Sequence, residues 1–175
     1  MSDIIAEVKA AKTASIQLSS VPTKVKDAAL EAMAEALDTH RSEILEANSK
    51  DLSNGEMLVD AGEISKSMFK RLAIDDAKID GMIDGIRDVI RLADPVGDVM
   101  SELDLDDGLT LFQIRCPIGM LGVIFESRPD VVPQIMSLCL KSGNGVAFKG
   151  GREAAESIRV LFRILRDAAA SVGIP

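Results

Sequence analysis

The chain has 175 residues, 47% of them hydrophobic, and a formal net charge of −8, so it is long enough to bury one core. Its acidity and its lack of Trp and Tyr argue against nucleic acid or an anionic membrane as partner, because those surfaces reward basic patches and, for single strands, aromatic stacking. No apolar run approaches the roughly 18 residues needed to span a bilayer, and two cysteines without a Cys-x-x-Cys pair supply neither a disulfide framework nor a metal site.

The amino-terminal run MSDIIAEVKAAK is amphipathic and carries Asp3 and Glu7. It lacks the basic start and apolar centre of a signal peptide, so a cytoplasmic protein is expected. Ile4, Val8, Ala11, Ser15 and Leu18 recur at the helical period and predict a first helix. A second helix, rich in Ala, Leu, Met and Glu over 28–37, is predicted to start at a Thr23 cap just after Pro22. A third is expected over 42–52, closed at Asn54-Gly55, where glycine takes the left-handed conformation that ends helices. A short segment follows over 65–72. Asp75 or Asp76 then caps a longer helix through Leu92, with Ile79, Met82, Ile83, Ile86, Val89 and Ile90 on one stripe. Asp94-Pro95 stops it, since proline disfavours helical geometry in the residue before it. No catalytic chemistry is legible in this helical region.

From Gly108 the period changes. Residues 109–115 are rich in strand formers and bounded by Asp107-Gly108 and Pro117. The continuous apolar runs 121–125 and 146–149 read as parallel strands covered on both faces, joined by a crossover helix over 131–140. A last amphipathic helix spans 152–170 and ends at Val172-Gly173.

Open parallel sheets bind ligands at the carboxyl ends of their strands. After the first parallel strand stand Glu126, Ser127, Arg128 and Pro129; after the second stand Lys149, Gly150 and Gly151, where a helix begins. Gly-Gly lets a backbone approach a phosphate or ribose closely, and a helix start offers amides to an anion. By itself a Lys-Gly-Gly turn is as readily a tight connection.

The whole run 116–158, CPIGMLGVIFESRPDVVPQIMSLCLKSGNGVAFKGGREAAESI, resembles the gamma-glutamyl phosphate reductases of the aldehyde dehydrogenase superfamily. EANSKDL at 46–52 and LADPVGDV at 92–99 resemble the same family, so the likeness covers nearly the whole chain. It implies an α/β, aldehyde-dehydrogenase-like fold, with a helical amino-terminal region over 1–103 and a strand of an oligomerisation or bridging sheet over 104–116. Residues 117–175 would then be the first βαβα portion of a Rossmann-like NADP-binding domain. The implied activity is NADPH-dependent reduction of L-glutamyl 5-phosphate to L-glutamate 5-semialdehyde and phosphate, in proline biosynthesis, by a homo-oligomer without metal.

The resemblance also implies roles. It places Glu126, Ser127, Lys149, Gly150, Gly151 and Glu153 on the cofactor side, with Lys149 at the adenosine ribose or its 2′-phosphate. Glu153 is displaced by one residue from the superfamily's ribose-binding glutamate and reads equally as a favourable first-turn carboxylate. Arg128 stands where the superfamily puts its oxyanion asparagine, and a guanidinium suits an acyl phosphate; pairing with Glu126 is the structural alternative. The nucleophilic cysteine of such enzymes lies downstream of the Gly-Gly turn and is expected beyond Pro175. Cys139 reads as a small buried hydrophobe, Cys116 precedes its strand, and His40 reads as a surface residue. Two other functions stay open: an aldehyde dehydrogenase for an unphosphorylated substrate, and a noncatalytic nucleotide-binding fragment that assembles with a separately encoded half.

Overall fold

The computed structural model describes residues 2–175, with side chains described from Ile5 onward. Five helices open the chain: α1 (Ser2–Leu18), α2 (Thr23–Thr39), α3 (Arg41–Asp60), α4 (Lys66–Leu72) and α5 (Asp76–Arg91). An antiparallel hairpin follows, β1 (Val99–Asp106) with β2 (Leu109–Ile114). The parallel strands β3 (Met120–Ile124) and β4 (Gly145–Lys149) are joined by α6 (Val131–Lys141). A 3-10 turn at Arg152–Ala154 leads into α7 (Ala155–Ser171). The predicted α/β class is what the chain adopts.

The core is organised around α2. Leu30, Met33, Ala34 and Leu37 recur at the helical period and are fully buried, and α2 packs on both α5 and α7. From α5 come Ile79, Met82, Ile83, Ile86 and Val89, the predicted stripe; α7 supplies Leu161, Ile164 and Leu165. Each large aliphatic side chain buried in this way stabilises the fold by about 1.5–3 kcal/mol. The stripe predicted for α1 buries Ser15 and Leu18 but leaves Val8 exposed, and Ile4 falls outside the described side chains. This helix lies against β3 and β4, and its last residue, Leu18, joins the helical core.

Several predicted boundaries move. Thr23 begins α2, but Pro22 occupies the cap position with no side-chain bond, and the Thr23 hydroxyl donates instead to Asp94 Oδ2 at 2.8 Å. Asn54-Gly55 does not end α3. Gly55 lies within the helix because Phe69 of α4 packs on it; a Cβ there would lie 2.9 Å from the Phe69 ring. The helix ends at Gly62, φ +74°, where Glu63 N–H donates to Leu58 O and Gly62 N–H to Val59 O, the double bond of a Schellman motif. Asp75, not Asp76, caps α5 by accepting from the Lys78 amide.

The expected strand at 109–115 is the second arm of a hairpin. Its first arm, β1, alternates polar and apolar residues over 102–106, and every residue of it is exposed, so neither of its faces is buried. Asp107-Gly108, with Gly108 at φ +78°, forms the two-residue turn. Nor are β3 and β4 covered on both faces: the sheet has two strands, its residues are mostly half-buried, and Ile124 is 83% exposed.

Two buried lysines fasten the helices. Lys26 of α2, fully buried, donates to Asp94 at 2.6 Å and to the Lys141 carbonyl at 3.3 Å. Lys141 of α6 donates to Asp27 at 2.6 Å and to the Ile90 carbonyl at 3.0 Å. Burial opposes ionisation of Asp94, but the Lys26 ammonium, the Val96 amide and the Thr23 hydroxyl outweigh it and hold its carboxyl below the ordinary range. A carboxyl whose folded pKa is depressed contributes stability above its unfolded pKa, and that contribution is lost as pH falls through the folded value. Asp94→Ala leaves Lys26 buried without its counter-charge and is expected to cost about 3–5 kcal/mol at neutral pH, with the difference from wild type shrinking in acid. Urea unfolding at pH 7 and at pH 3 measures both.

Candidate nucleotide and substrate site

The carboxyl ends of β3 and β4 lie side by side because the strands pair from Met120–Gly145 to Ile124–Lys149. The ladder gains one more bond, from Phe125 N–H to Lys149 O at 3.2 Å. Beneath the two turns Phe125, Phe148 and Phe162 stack edge to face, with centroids 5.8 and 6.2 Å apart, the offset geometry that aromatic quadrupoles favour. The predicted Glu-Ser-Arg-Pro and Lys-Gly-Gly turns are therefore brought together on a packed floor.

In the first turn Glu126 is exposed and Ser127 is buried. Ser127 has φ +51°, the left-handed region that side chains other than Gly, Asn and Asp seldom occupy. Its amide and hydroxyl both donate to Oε1 of Glu153, at 2.6 and 2.9 Å. Arg128 points outward, half-exposed, and its guanidinium donates to Asp130 at 2.8 Å. Its partner is thus Asp130 and not Glu126. The bond to Asp130 and its charge push the Arg128 pKa up further, so the group is a permanent cation.

In the second turn Lys149 is exposed and donates to the Gly150 carbonyl at 3.1 Å, and Arg152 is exposed beside it. Neither glycine has room for a Cβ. At Gly150 the space is taken by Ile158, at Gly151 by the Glu153 carboxylate. A side chain at either position would have to displace the end of the Ile158 or the Glu153 side chain.

The start of α7 differs from the sequence expectation of amides open to an anion. Asp51 of α3 already sits there: its carboxylate accepts from Glu156 N–H at 3.1 Å and Ser157 N–H at 2.7 Å, supplying the negative charge a helix start favours. One turn earlier, Asn48 donates to the Leu72 carbonyl at 2.7 Å and to Ser157 Oγ at 3.1 Å, and accepts from Ile74 N–H at 2.8 Å. Both residues are buried. Sequence reasoning assigned them no role, although they are the Asn and Asp of the EANSKDL run, spaced i, i+3 on one helix face.

Among the described residues no thiol stands near these turns. Cys139 is buried in α6, and burial pushes its thiol up, away from the reactive thiolate. Cys116 is exposed, but it lies before β3. His40 is half-buried between α2 and α3, its Nδ1 3.0 Å from the Ala36 carbonyl. No group of His, Cys, Asp and Glu among the described residues is arranged to hold a metal ion.

No protein-family model matches the chain. Known proteins are more informative. A gamma-glutamyl phosphate reductase of Methanosarcina mazei is 60% identical over 171 residues, covering 98% of this chain and 38% of the relative. Over nearly its whole length the chain is similar to the amino-terminal part of gamma-glutamyl phosphate reductases. The crystal structure of the Thermotoga maritima gamma-glutamyl phosphate reductase superposes with a TM-score of 0.90 at 38% identity, covering 98% of this chain and 40% of that one. A probable aldehyde dehydrogenase of Listeria monocytogenes, 17% identical, shares the fold over the whole chain and 35% of its own length, with a TM-score of 0.71. The chain thus spans rather less than half the length of the gamma-glutamyl phosphate reductases it matches.

The Asp51 clasp has a measurable cost. Asp51→Ala is expected to destabilise the chain by about 0.5–2 kcal/mol, the range for losing a helix cap. Thermal or urea unfolding checks it; an unchanged midpoint would mean that water replaces the carboxylate without loss.

Proposed function

We propose that the full product of the reading frame encoding this chain reduces L-glutamyl 5-phosphate to L-glutamate 5-semialdehyde and phosphate with NADPH, a cytoplasmic step of proline biosynthesis. The observation that carries this reading is the pair of cationic side chains at the carboxyl ends of two adjacent parallel strands, Arg128 in the turn after β3 and Lys149 at the end of β4, in a chain 60% identical to a gamma-glutamyl phosphate reductase. An aldehyde dehydrogenase for an unphosphorylated substrate would offer Arg128 no anion beyond Asp130, the partner it already has.

The residues present fit NADPH. Lys149 and Arg152 are exposed at the mouth of the second turn, whereas Glu153 is buried and its Oε1 is turned to Ser127. Lys149, with Gly150, Gly151 and the exposed Glu126 alongside, is assigned to the adenosine end, where an ammonium matches a 2′-phosphate. The cofactor supplies the hydride. Arg128 is assigned to the acyl phosphate and to the oxygen that becomes anionic when a thiolate attacks the acyl carbon. That thiolate is expected from a cysteine outside this chain, since Cys116 and Cys139 are unsuited by place and burial.

A homo-oligomer is part of the same reading. Leu103, Leu105, Leu109 and Leu111 lie more than half exposed on the hairpin, and a second copy of the protein is assigned to cover them, as an apolar strip on a two-stranded ribbon demands a partner.

Two substitutions test the site in the full-length enzyme, with NADPH oxidation followed in the presence of glutamyl phosphate. Lys149→Ala removes a charge-assisted bond of about 1.5–3 kcal/mol and is expected to weaken NADPH by roughly one to two decades, with a smaller effect on NADH. Equal small losses for both would reduce Lys149 to a ribose contact. Arg128→Ala is expected to lower kcat by about 10²–10³-fold, the range for one oxyanion donor. A rise in KM at constant kcat would restrict Arg128 to holding the phosphate, and normal values of both would remove it from the site.

A further inference from the structure

The Glu153 carboxylate bridges the two turns of the site. It leaves the second turn, fills the space where a side chain at Gly151 would be, and accepts two hydrogen bonds from Ser127 in the first. Both residues are buried, so these bonds face little competition from water. Ser127 is also the one non-glycine residue with positive φ among the described residues. Such a conformation costs of order 1–3 kcal/mol and persists only when its surroundings hold it. Two donations to a single carboxylate oxygen, one from the residue's own amide, are what holds it here.

The next residue is Arg128. Reversal of the backbone at Ser127 carries the chain out of the sheet, and the following bonds, Val131 N–H to Arg128 O at 3.1 Å and Val132 N–H to Pro129 O at 3.2 Å, turn it straight into α6. The direction in which Arg128 leaves the surface is therefore set by the Ser127 conformation.

We infer that Glu153 is a positioning residue that holds Ser127 in the left-handed conformation and so aims Arg128 at the substrate, tying the substrate turn to the cofactor turn. The inference rests on the assignment of Arg128 proposed above. It gives Glu153 a role through Arg128, distinct from contact with the cofactor, and it makes the carboxylate's acceptor oxygen, more than its charge, the operative feature.

A double-mutant cycle on the full-length enzyme decides it. Glu153→Ala is expected to lower kcat for glutamyl phosphate by about 10²-fold, the cost of a misplacement near 1 Å, and to leave the KM for NADPH within about twofold. In an Arg128→Ala background the same change should cost less than about threefold more, because the two residues act as one unit. Glu153→Gln keeps an amide oxygen for both donors and is expected to stay within about threefold of wild type. Additive losses, a Gln variant as impaired as Ala, or a loss confined to the KM for NADPH would each overturn the inference. Should Glu153→Ala not fold, Ser127→Ala, which deletes one of the two donors, carries the same cycle: a loss of about fivefold that vanishes without Arg128 supports the inference, and a loss that persists sinks it. A crystal structure of Glu153→Gln or Ser127→Ala beside wild type reads the backbone without reference to turnover. Ser127 should keep positive φ in the Gln variant; its departure to extended backbone there would overturn the role of the acceptor oxygen. If wild type reduces no glutamyl phosphate, the assigned reaction fails while this backbone comparison still decides the clamp.

Discussion

The carboxylate of Asp51 at the start of α7 is the constraint on which the site geometry depends. It accepts from the Glu156 and Ser157 amides, and Asn48, on the same face of α3, fixes the Ser157 hydroxyl and the chain between α4 and α5. Helix α7 therefore cannot slide along its axis against α3 without breaking bonds to a buried charge, which are among the costlier bonds to lose. Because α7 is held at its beginning, the short 3-10 turn before it is held as well, and with it Glu153. The position of Arg128, in the turn after β3, is thus traceable, bond by bond, to helix α3.

That dependence explains why the helical region is present at all in a segment whose chemistry sits on two strands. A parallel pair of five-residue strands buries little by itself. Here its floor is made by Phe125, Phe148 and Phe162 in contact with the α2-centred core, and its far side rests on α1. The lysine pairs do comparable service from the other end of α6, where Lys141 and Lys26 each reach both a carboxylate and a carbonyl. With the crossover helix fixed at its carboxyl end and the first site turn fixed at its amino end, neither end of α6 is free to move.

Much of this was legible from residue order, and the reasons are physical. The stripe of α5 announces itself because it faces one core; the apolar runs of β3 and β4 announce themselves because they pair within the sheet. The two site turns stand out as polar clusters emerging from apolar strands. What eluded the sequence has one cause, a partner distant in the chain. Gly55 reads as a helix end until Phe69 is seen to need its space. Asp51 has no legible role until α7 is brought to it from 105 residues away. The β1 strand alternates polar and apolar residues over 102–106, but nothing among the described residues covers its leucines. Glu153 reads as a first-turn carboxylate or a ribose ligand until its oxygen is found on Ser127, and the left-handed Ser127 itself has no signal in a residue type that rarely adopts that conformation.

The hairpin has a consequence for the energetics of the chain. None of its residues is buried, so β1 and β2 draw nothing from the hydrophobic driving force that holds the helices, and their order rests on the Asp107-Gly108 turn, the ladder and cross-strand bonds such as Thr110 to Asp104 and Ser101 to Gln113. The molecule is therefore two thermodynamic units on one backbone. Backbone amides of the arm would exchange with solvent through local opening of low free energy, whereas those of α2 would exchange only when the whole core opens. Anything that later covers the leucine strip adds its binding free energy to the arm alone, so the arm's protection against exchange would report occupancy of that strip while the core stayed silent.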